Sequence, residues 1–396
     1  MTALLVLPQW VSAQGTSEAP RVFSANPATL LSVKQRIAAQ DPALMPAFDA
    51  LMKDAQKAVK VVPASVMEKP QTPPGVDRHD YVSYAPYFWP NPDTKDGLPY
   101  VRHDGKRNHD KVNEGDAPRF EKMMGTVATL ALAYELSGRE EFAEHASTIV
   151  RVWFIDPATR MNPNFTHAQA IPGTNSGRGT GLIEFASMPH LVDSLGMLEG
   201  SKSWTKQDQQ AMKEWLSKFA HWMTTSKEAA DERNAANNHG SWFDVEEVSL
   251  LLYLGKDEEA RAICERAKQK RIARQIEPDG RQPLELARAD GFGYSVFNVN
   301  ALFALATLAQ RVDVDLWHFK TADGRSLRKA LDFLAPYADA QKKWPHNQAN
   351  ALNREKLAAA LQQAIQIYGG TSYADALQHL PADAVAADRI RLLIGK

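Results

Sequence analysis

The run Asn237-Asn238-His239-Gly240-Ser241-Trp242 places amide side chains directly before an imidazole. An amide N–H can donate to a carboxylate, and a neutral imidazole can accept a proton. Ser241 and Asp244 form an S-x-x-D pattern, which predicts a helix over about 241–254. His239 would then lie just outside the positive end of a helix dipole, which favours the uncharged ring. The plainer reading is a pair of capping asparagines beside a structural histidine.

A second chemical run reads Gln282-Pro283-Leu284-Glu285-Leu286-Ala287-Arg288-Ala289-Asp290-Gly291-Phe292-Gly293-Tyr294. Arg288 has the planar fork that holds a carboxylate, with Glu285 and Asp290 as internal candidates for the same fork. Another helix is expected from about 295 to 311. Tyr294 therefore takes the same place at a loop-to-helix junction that His239 takes one helix pair earlier. Taken alone, Tyr294 reads equally as a packed aromatic.

The third run, His79 to Pro92, holds Tyr81, Tyr84, Tyr87, Phe88 and Trp89, five aromatics within nine residues. Prolines 86, 90 and 92 stiffen it. Such rings either cover a core or stack on the C–H faces of sugars. Arg102, His103, Lys106, Arg107 and His109 follow, so the region is also basic. Arg102 and Lys106, with Tyr84, Tyr87 and Trp89, form a candidate binding wall for an anionic sugar chain. Of Tyr87, Phe88 and Trp89, at least one should pack inward.

These loops need a frame, and helical periodicity supplies it. Helices are expected near 27–39, 42–60, 117–137, 139–155, 180–198, 205–225, 241–254, 256–276, 295–311, 326–337 and 353–367. Links within pairs are mostly short, as at Ser137-Gly138 and Gly255, and short links make antiparallel neighbours. Links between pairs are long: about 61–116, 156–179, 226–240, 277–294 and 338–352. Pairs arranged in a ring would send every long loop to one rim. The expectation is an all-α fold, an incomplete (α/α) toroid of about five to seven helix pairs, with a solenoid of pairs as the alternative.

Composition narrows the function. Of 396 residues, 46 are Lys or Arg and 47 are Asp or Glu, a balance that argues against general nucleic-acid binding. A single cysteine, Cys264, excludes an internal disulfide and a cysteine-built zinc site. There is no H-E-x-x-H pattern, and His79-Asp80 is isolated, so neither metal nor cofactor is expected. Leu4–Leu7 followed by Val11-Ser12-Ala13 resembles a signal peptide over residues 1–13, which implies a periplasmic or secreted protein. No later run reaches the ~18 apolar residues of a membrane span. Residues 20–396 read as one domain.

The Asn-Asn-His run, the stretch Gln282–Arg288 ahead of Tyr294, and the aromatic run Tyr84–Pro92 together resemble the alginate-lyase-type polysaccharide lyases with helical toroid folds. The resemblance spans about 75–350. It points to polysaccharide lyase family 38, whose branch acts on alginate or glucuronan, and more distantly to family 5, which reads Ser-Tyr where this chain has Gly240-Ser241. The implied reaction is β-elimination on a polyuronate. Asn238 and Arg288 would neutralise the C5 carboxylate. Tyr294, aided by the charge of Arg288, would serve as base and acid where both steps occur on one face of the sugar, and His239 would be the base where the proton leaves from the opposite face. Arg178, with Asn175 and Glu184, and Trp242 would add substrate contacts. The resemblance leaves mannuronate, guluronate and glucuronate open. A glycoside hydrolase is the runner-up and needs two carboxyl groups across the scissile bond, from among Asp244, Glu246, Glu285 and Asp290. A non-catalytic sugar-binding protein and a helical scaffold are the remaining alternatives.

Overall fold

The computed structural model describes residues 19–396. The expected signal peptide over 1–13 lies outside the described residues.

Helix starts and stops follow from local chemistry. Helix α1 (Pro27–Ala38) begins at Asn26, whose side chain accepts from the N–H groups of Ala28 and Thr29, and Pro27 suits the first turn. Next come α2 (Met45–Ala58), α3 (Ala117–Ser137) and α4 (Glu140–Val150, extended by a π turn to Ile155). Gly138, at φ 69°, ends α3 in the left-handed conformation glycine adopts without strain. The series continues with α5 (Met188–Leu198), α6 (Lys206–Thr225), α7 (Lys227–Arg233), α8 (Asn238–Leu254) and α9 (Asp257–Ala267). It ends with α10 (Gly291–Ala309), α11 (Leu327–Leu334), α12 (Ala358–Tyr368), α13 (Ser372–Gln378), α14 (Ala382–Ala387) and α15 (Ile390–Ile394).

Helices α3, α5, α8, α10 and α12 pack in sequence as an inner row, and α4, α6, α9, α11 and α13 back them on the outside. The burial pattern shows why. Nearly every residue of α5, α8 and α10 is buried, as a helix surrounded by protein requires, whereas α4, α9 and α11 bury one stripe. Helix α15 packs on α1, α2 and α12, so the chain returns to its start. The architecture is an all-α toroid. Helix α10 is long and apolar enough to cross a membrane by composition, contrary to the sequence expectation, but it is buried within the core.

One end of the ring is covered by the segment before α1. Asp193 of α5 accepts from the backbone N–H groups of Phe23 and Ser24. Arg311, just past α10, donates to the carbonyls of Phe23 and Ala25, and Arg21 donates to the carbonyl of Tyr253 at the end of α8. Phe23 packs against both halves of the core. The N-termini of α8 and α10 lie at their opposite ends and open into the long loops.

Those loops contain small sheets that the periodicity did not predict. Strand β1 (Val82–Tyr84) pairs in parallel with β4 (His167–Ala170), and β2 (Phe88–Trp89) pairs antiparallel with β3 (Val101–Arg102). Two helix starts also differ from expectation. Helix α8 begins at Asn238 rather than 241, because Ser241 and Asp244 bond to Gln275 and Arg271 instead of capping. Helix α10 begins at Gly291, capped by the Asp290 side chain, which accepts from the N–H of Gly293 at 2.9 Å. His239 and Tyr294 therefore both lie inside first helical turns, not before them.

Candidate active site

His239 is held by Glu232. Its Nδ1 lies 2.5 Å from Glu232 Oε1, and Nε2 has no partner among the described residues. The Glu232 carboxylate is nearly sealed at 1% exposure, while the His239 ring keeps 19%. A buried clamp sets this geometry. Arg271 donates through Nε and Nη2 to Asp244 at 2.8 and 2.9 Å, and also to the carbonyls of Ala235 and Arg233 at 2.8 Å. It thus fixes the turn between α7, which carries Glu232, and α8, which carries His239. Gly240 lets these parts approach: a Cβ there would collide with the Ala235 carbonyl and the Arg271 guanidinium. The Gly-Ser that follows the histidine is therefore a packing requirement of this chain.

Asn238 corrects an expectation. It is buried, with its backbone N–H and its Nδ2 donating to Glu285 at 2.7 and 2.6 Å. Its amide serves the protein's own carboxylate rather than a groove. Burial raises the Glu285 carboxyl above its ordinary range, and the Asn238 hydrogen bonds oppose that shift. The pair ties the start of α8 to the loop before α10.

Arg288 corrects another. Its fork is occupied by neither Glu285 nor Asp290. It holds Asp104 of the first long loop, with Nη2 2.7 Å from Oδ1 and Nε 3.1 Å from Oδ2. The same Nη2 donates to the Tyr294 hydroxyl at 2.7 Å, and the guanidinium lies 3.7 Å from the Tyr294 ring centroid. The Tyr87 hydroxyl sits 2.9 Å from that of Tyr294. Burial and Tyr87 push the Tyr294 phenol above its ordinary range, while Arg288 pulls it down. The guanidinium beside Asp104 holds that carboxyl far below the usual carboxylate range.

The first long loop thus reaches Arg288 and Tyr294 through Asp104 and Tyr87. Tyr84 lies beneath the Lys111 ammonium, 4.1 Å from its ring centroid. Phe88 faces the Arg178 guanidinium at 5.4 Å. Trp89 Nε1 donates to the Lys106 carbonyl at 2.9 Å, so Lys106 braces the hairpin through its backbone while its side chain is exposed. Arg102 is exposed and donates to Asp104 at 2.7 Å. The fully inward aromatic is Tyr81, stacked on Phe165; Tyr87, Phe88 and Trp89 are each half-buried. Arg178 is held by Gln169 at 2.7 Å and lies within the field of Arg102, Glu232 and Glu184, which links the loop to the His239 side.

Three further expectations change. Trp242 is half-buried and packs on Phe297 with ring centroids 5.0 Å apart and its Nε1 buried, so it joins α8 to α10. Glu184 accepts from Tyr81 and Ser83 at 2.7 and 2.6 Å beneath the groove, and burial pushes its carboxyl up to about 7. Asn175 accepts from the Ile171 N–H and shapes its own turn. Glu246, on α8 below His239, is buried with neither carboxyl oxygen bonded among the described residues, and burial pushes it well above its ordinary range.

None of the four carboxyl groups weighed for hydrolysis is available. Asp244 is clamped by Arg271, Glu285 by Asn238, Glu246 is buried, and Asp290 caps α10. Among the described residues, no group of three or more His, Cys, Asp or Glu gathers as a metal site. His79 and Asp80 bond to Arg160, Asn162 and Asn164 as loop supports. The sequence reading missed Glu232 and Asp104. Glu232 lies seven residues before His239 across a helix break, and Asp104 meets Arg288 over a separation of 184 residues. No local pattern marks either one.

The family described as alginate lyase matches residues 65–344. No curated protein sequence matches the chain. Among solved structures, an alginate lyase from Bacteroides ovatus is 37% identical, with 95% of this chain and 99% of that one covered at a TM-score of 0.89. Alginate lyase A1-III from Sphingomonas species A1 is 17% identical, with 96% and 100% covered at 0.57, a likeness of fold. A histidine-to-alanine variant of A1-III complexed with a tetrasaccharide is likewise 17% identical, with 88% and 94% covered at 0.54.

Proposed function

The chain belongs to the alginate lyase family, and on that premise we propose that this polysaccharide lyase cleaves a polyuronate of the alginate type by β-elimination at the rim where α8 and α10 begin. The observation that carries the reading is the half-buried Tyr294 hydroxyl, held between Arg288 and Tyr87 at 2.7 and 2.9 Å. A tyrosine serves as base only where positive charge favours the phenolate, and Arg288 supplies that charge against the burial and the Tyr87 contact that raise the resting phenol. The phenolate takes the C5 proton, the electron pair forms the C4–C5 double bond, and the O4 bond breaks. The same phenol then returns the proton to O4.

His239, oriented by Glu232, is the polar partner of the uronate carboxylate. With Nδ1 bonded to Glu232, its Nε2 is the ring atom left to meet the sugar. Arg178 and Arg102 supply the remaining positive charge of the groove, and Tyr84, Tyr87 and Trp89 its ring-stacking surface. A polymeric substrate and the apolar run Leu4–Leu7 support action in the periplasm or outside the cell.

The test is a panel of polymannuronate, polyguluronate and glucuronan, followed by ultraviolet absorbance of an unsaturated product. Absorbance rising with chain cleavage supports the reading. New reducing ends without absorbance would place the reaction among hydrolyses.

A further inference from the structure

Asp104 stands in the long loop yet makes its bonds to the catalytic side of the rim. It accepts twice from Arg288, once from Arg102 at 2.7 Å, and once from the backbone N–H of Ala289 at 3.1 Å. The neighbouring Gly105, at φ +77°, brings the loop so close that a Cβ there would sit 3.0 Å from the Ala289 side chain. The tip of the loop is therefore seated on the segment before α10.

Arg288 has two jobs for one Nη2, which bonds both Asp104 Oδ1 and the Tyr294 hydroxyl. A long flexible side chain with one partner could swing among several orientations. A two-point bond to a carboxylate fixes its plane. With that plane fixed, the Nη2 proton pair spans Asp104 and Tyr294, and the guanidinium lies over the tyrosine ring. Tyr87 comes from the same loop, and its carbonyl accepts from the N–H of His103, the residue before Asp104, at 2.8 Å.

We propose that Asp104 is a positioning residue for the elimination, acting through Arg288 to aim positive charge at Tyr294. This rests on the assignment of Tyr294 as base and acid. It predicts that Asp104 matters to turnover more than to affinity, since it touches the catalytic side chain and not the sugar. It also predicts that the effect vanishes once Arg288 is gone.

The experiment measures kcat and KM for Asp104→Ala, Asp104→Asn, Arg288→Ala and the Asp104→Ala/Arg288→Ala double variant, with Tyr294→Phe in parallel, on whichever polyuronate the panel selects. The expected loss of kcat in Asp104→Ala is about 10- to 100-fold, by analogy with carboxylates that orient metal-ligating side chains, with KM changed less than about threefold. Asp104→Asn, which keeps an acceptor oxygen, should recover part of that loss. The double variant should be no slower than Arg288→Ala alone, because groups acting as one unit are not additive. Three results would overturn the proposal: unchanged kcat in Asp104→Ala, a change confined to KM, or full additivity in the double variant. If Tyr294→Phe itself turns over normally, the assignment of the base fails instead, and the two failures are told apart.

Discussion

The two halves of the rim are built differently. The His239 half is made by the toroid itself: α7, the turn to α8, and the sealed Arg271–Asp244 pair, whose side chains are 1% and 4% exposed. The Tyr294 half is completed from outside, by Asp104 and Tyr87 of the first long loop, and its Arg288–Asp104 pair is 15% and 28% exposed. Each half places one reactive side chain in the first turn of an inner helix. One half is thus internal to the toroid and the other depends on a loop docked from outside it. The contrast also separates stability from turnover: the buried pair should govern folding, and the loop pair should govern rate.

That separation can be broken most sharply at Arg271. Arg271→Leu leaves Asp244 as a buried, unpaired charge, which should cost about 3–5 kcal/mol of stability. Chemical denaturation should show the loss, whereas Asp104→Ala should shift stability by no more than about 1 kcal/mol, as for a solvent-accessible pair. Equal losses from both variants would erase the distinction between the halves.

Glu184, beneath the loop side, gives a pH signature of intermediate size. Its carboxyl is raised from 4.5 to about 7, chiefly by burial. The folded state therefore keeps a proton that the unfolded state loses between these values. The stability associated with the neutral group is complete below pH 4.5 and is lost as pH rises through 7, an effect on the order of 3 kcal/mol. Glu184→Gln stays neutral throughout, so its stability relative to the parent should improve as pH increases from 4.5 to 7.5. Parallel stability curves would show that Glu184 is ionised in the fold like any surface carboxylate.

The smallest expected effect lies on the outer wall. Arg102→Ala with Lys106→Ala should raise KM several-fold and flatten its dependence on salt, because exposed charges act over ~8 Å at physiological ionic strength. An unchanged KM and salt response would confine the wall's role to the aromatics.

Much of this was legible in the sequence because helices announce themselves by period. The bounds of α3 coincide with the expected 117–137, and the two helix-start motifs lead to His239, Arg288 and Tyr294. The strands were not legible, since two to four residues are too few to alternate. Neighbouring residues of a motif were also hard to apportion. Asn238 and His239 are adjacent, yet a helix turns successive side chains by about 100°, so one goes to the interior and the other to the rim. Capping patterns misled for a similar reason: Ser241 and Asp244 have the right types and spacing, but Gln275 and Arg271 on neighbouring elements claim them. The partners that make the site work, Glu232 and Asp104, are tertiary facts.

The central claim is that the Tyr294 hydroxyl carries the proton in both halves of the elimination. Tyr294→Phe removes that oxygen and keeps the ring, so it isolates the claim. The measurement is the rate of unsaturated-product formation on the preferred polyuronate, paired with calorimetric binding of an oligouronate to the same variant. The account predicts turnover reduced by at least ~10²–10⁴-fold with binding retained. A folded variant that eliminates at the parent rate would contradict it and shift the proton transfer to His239.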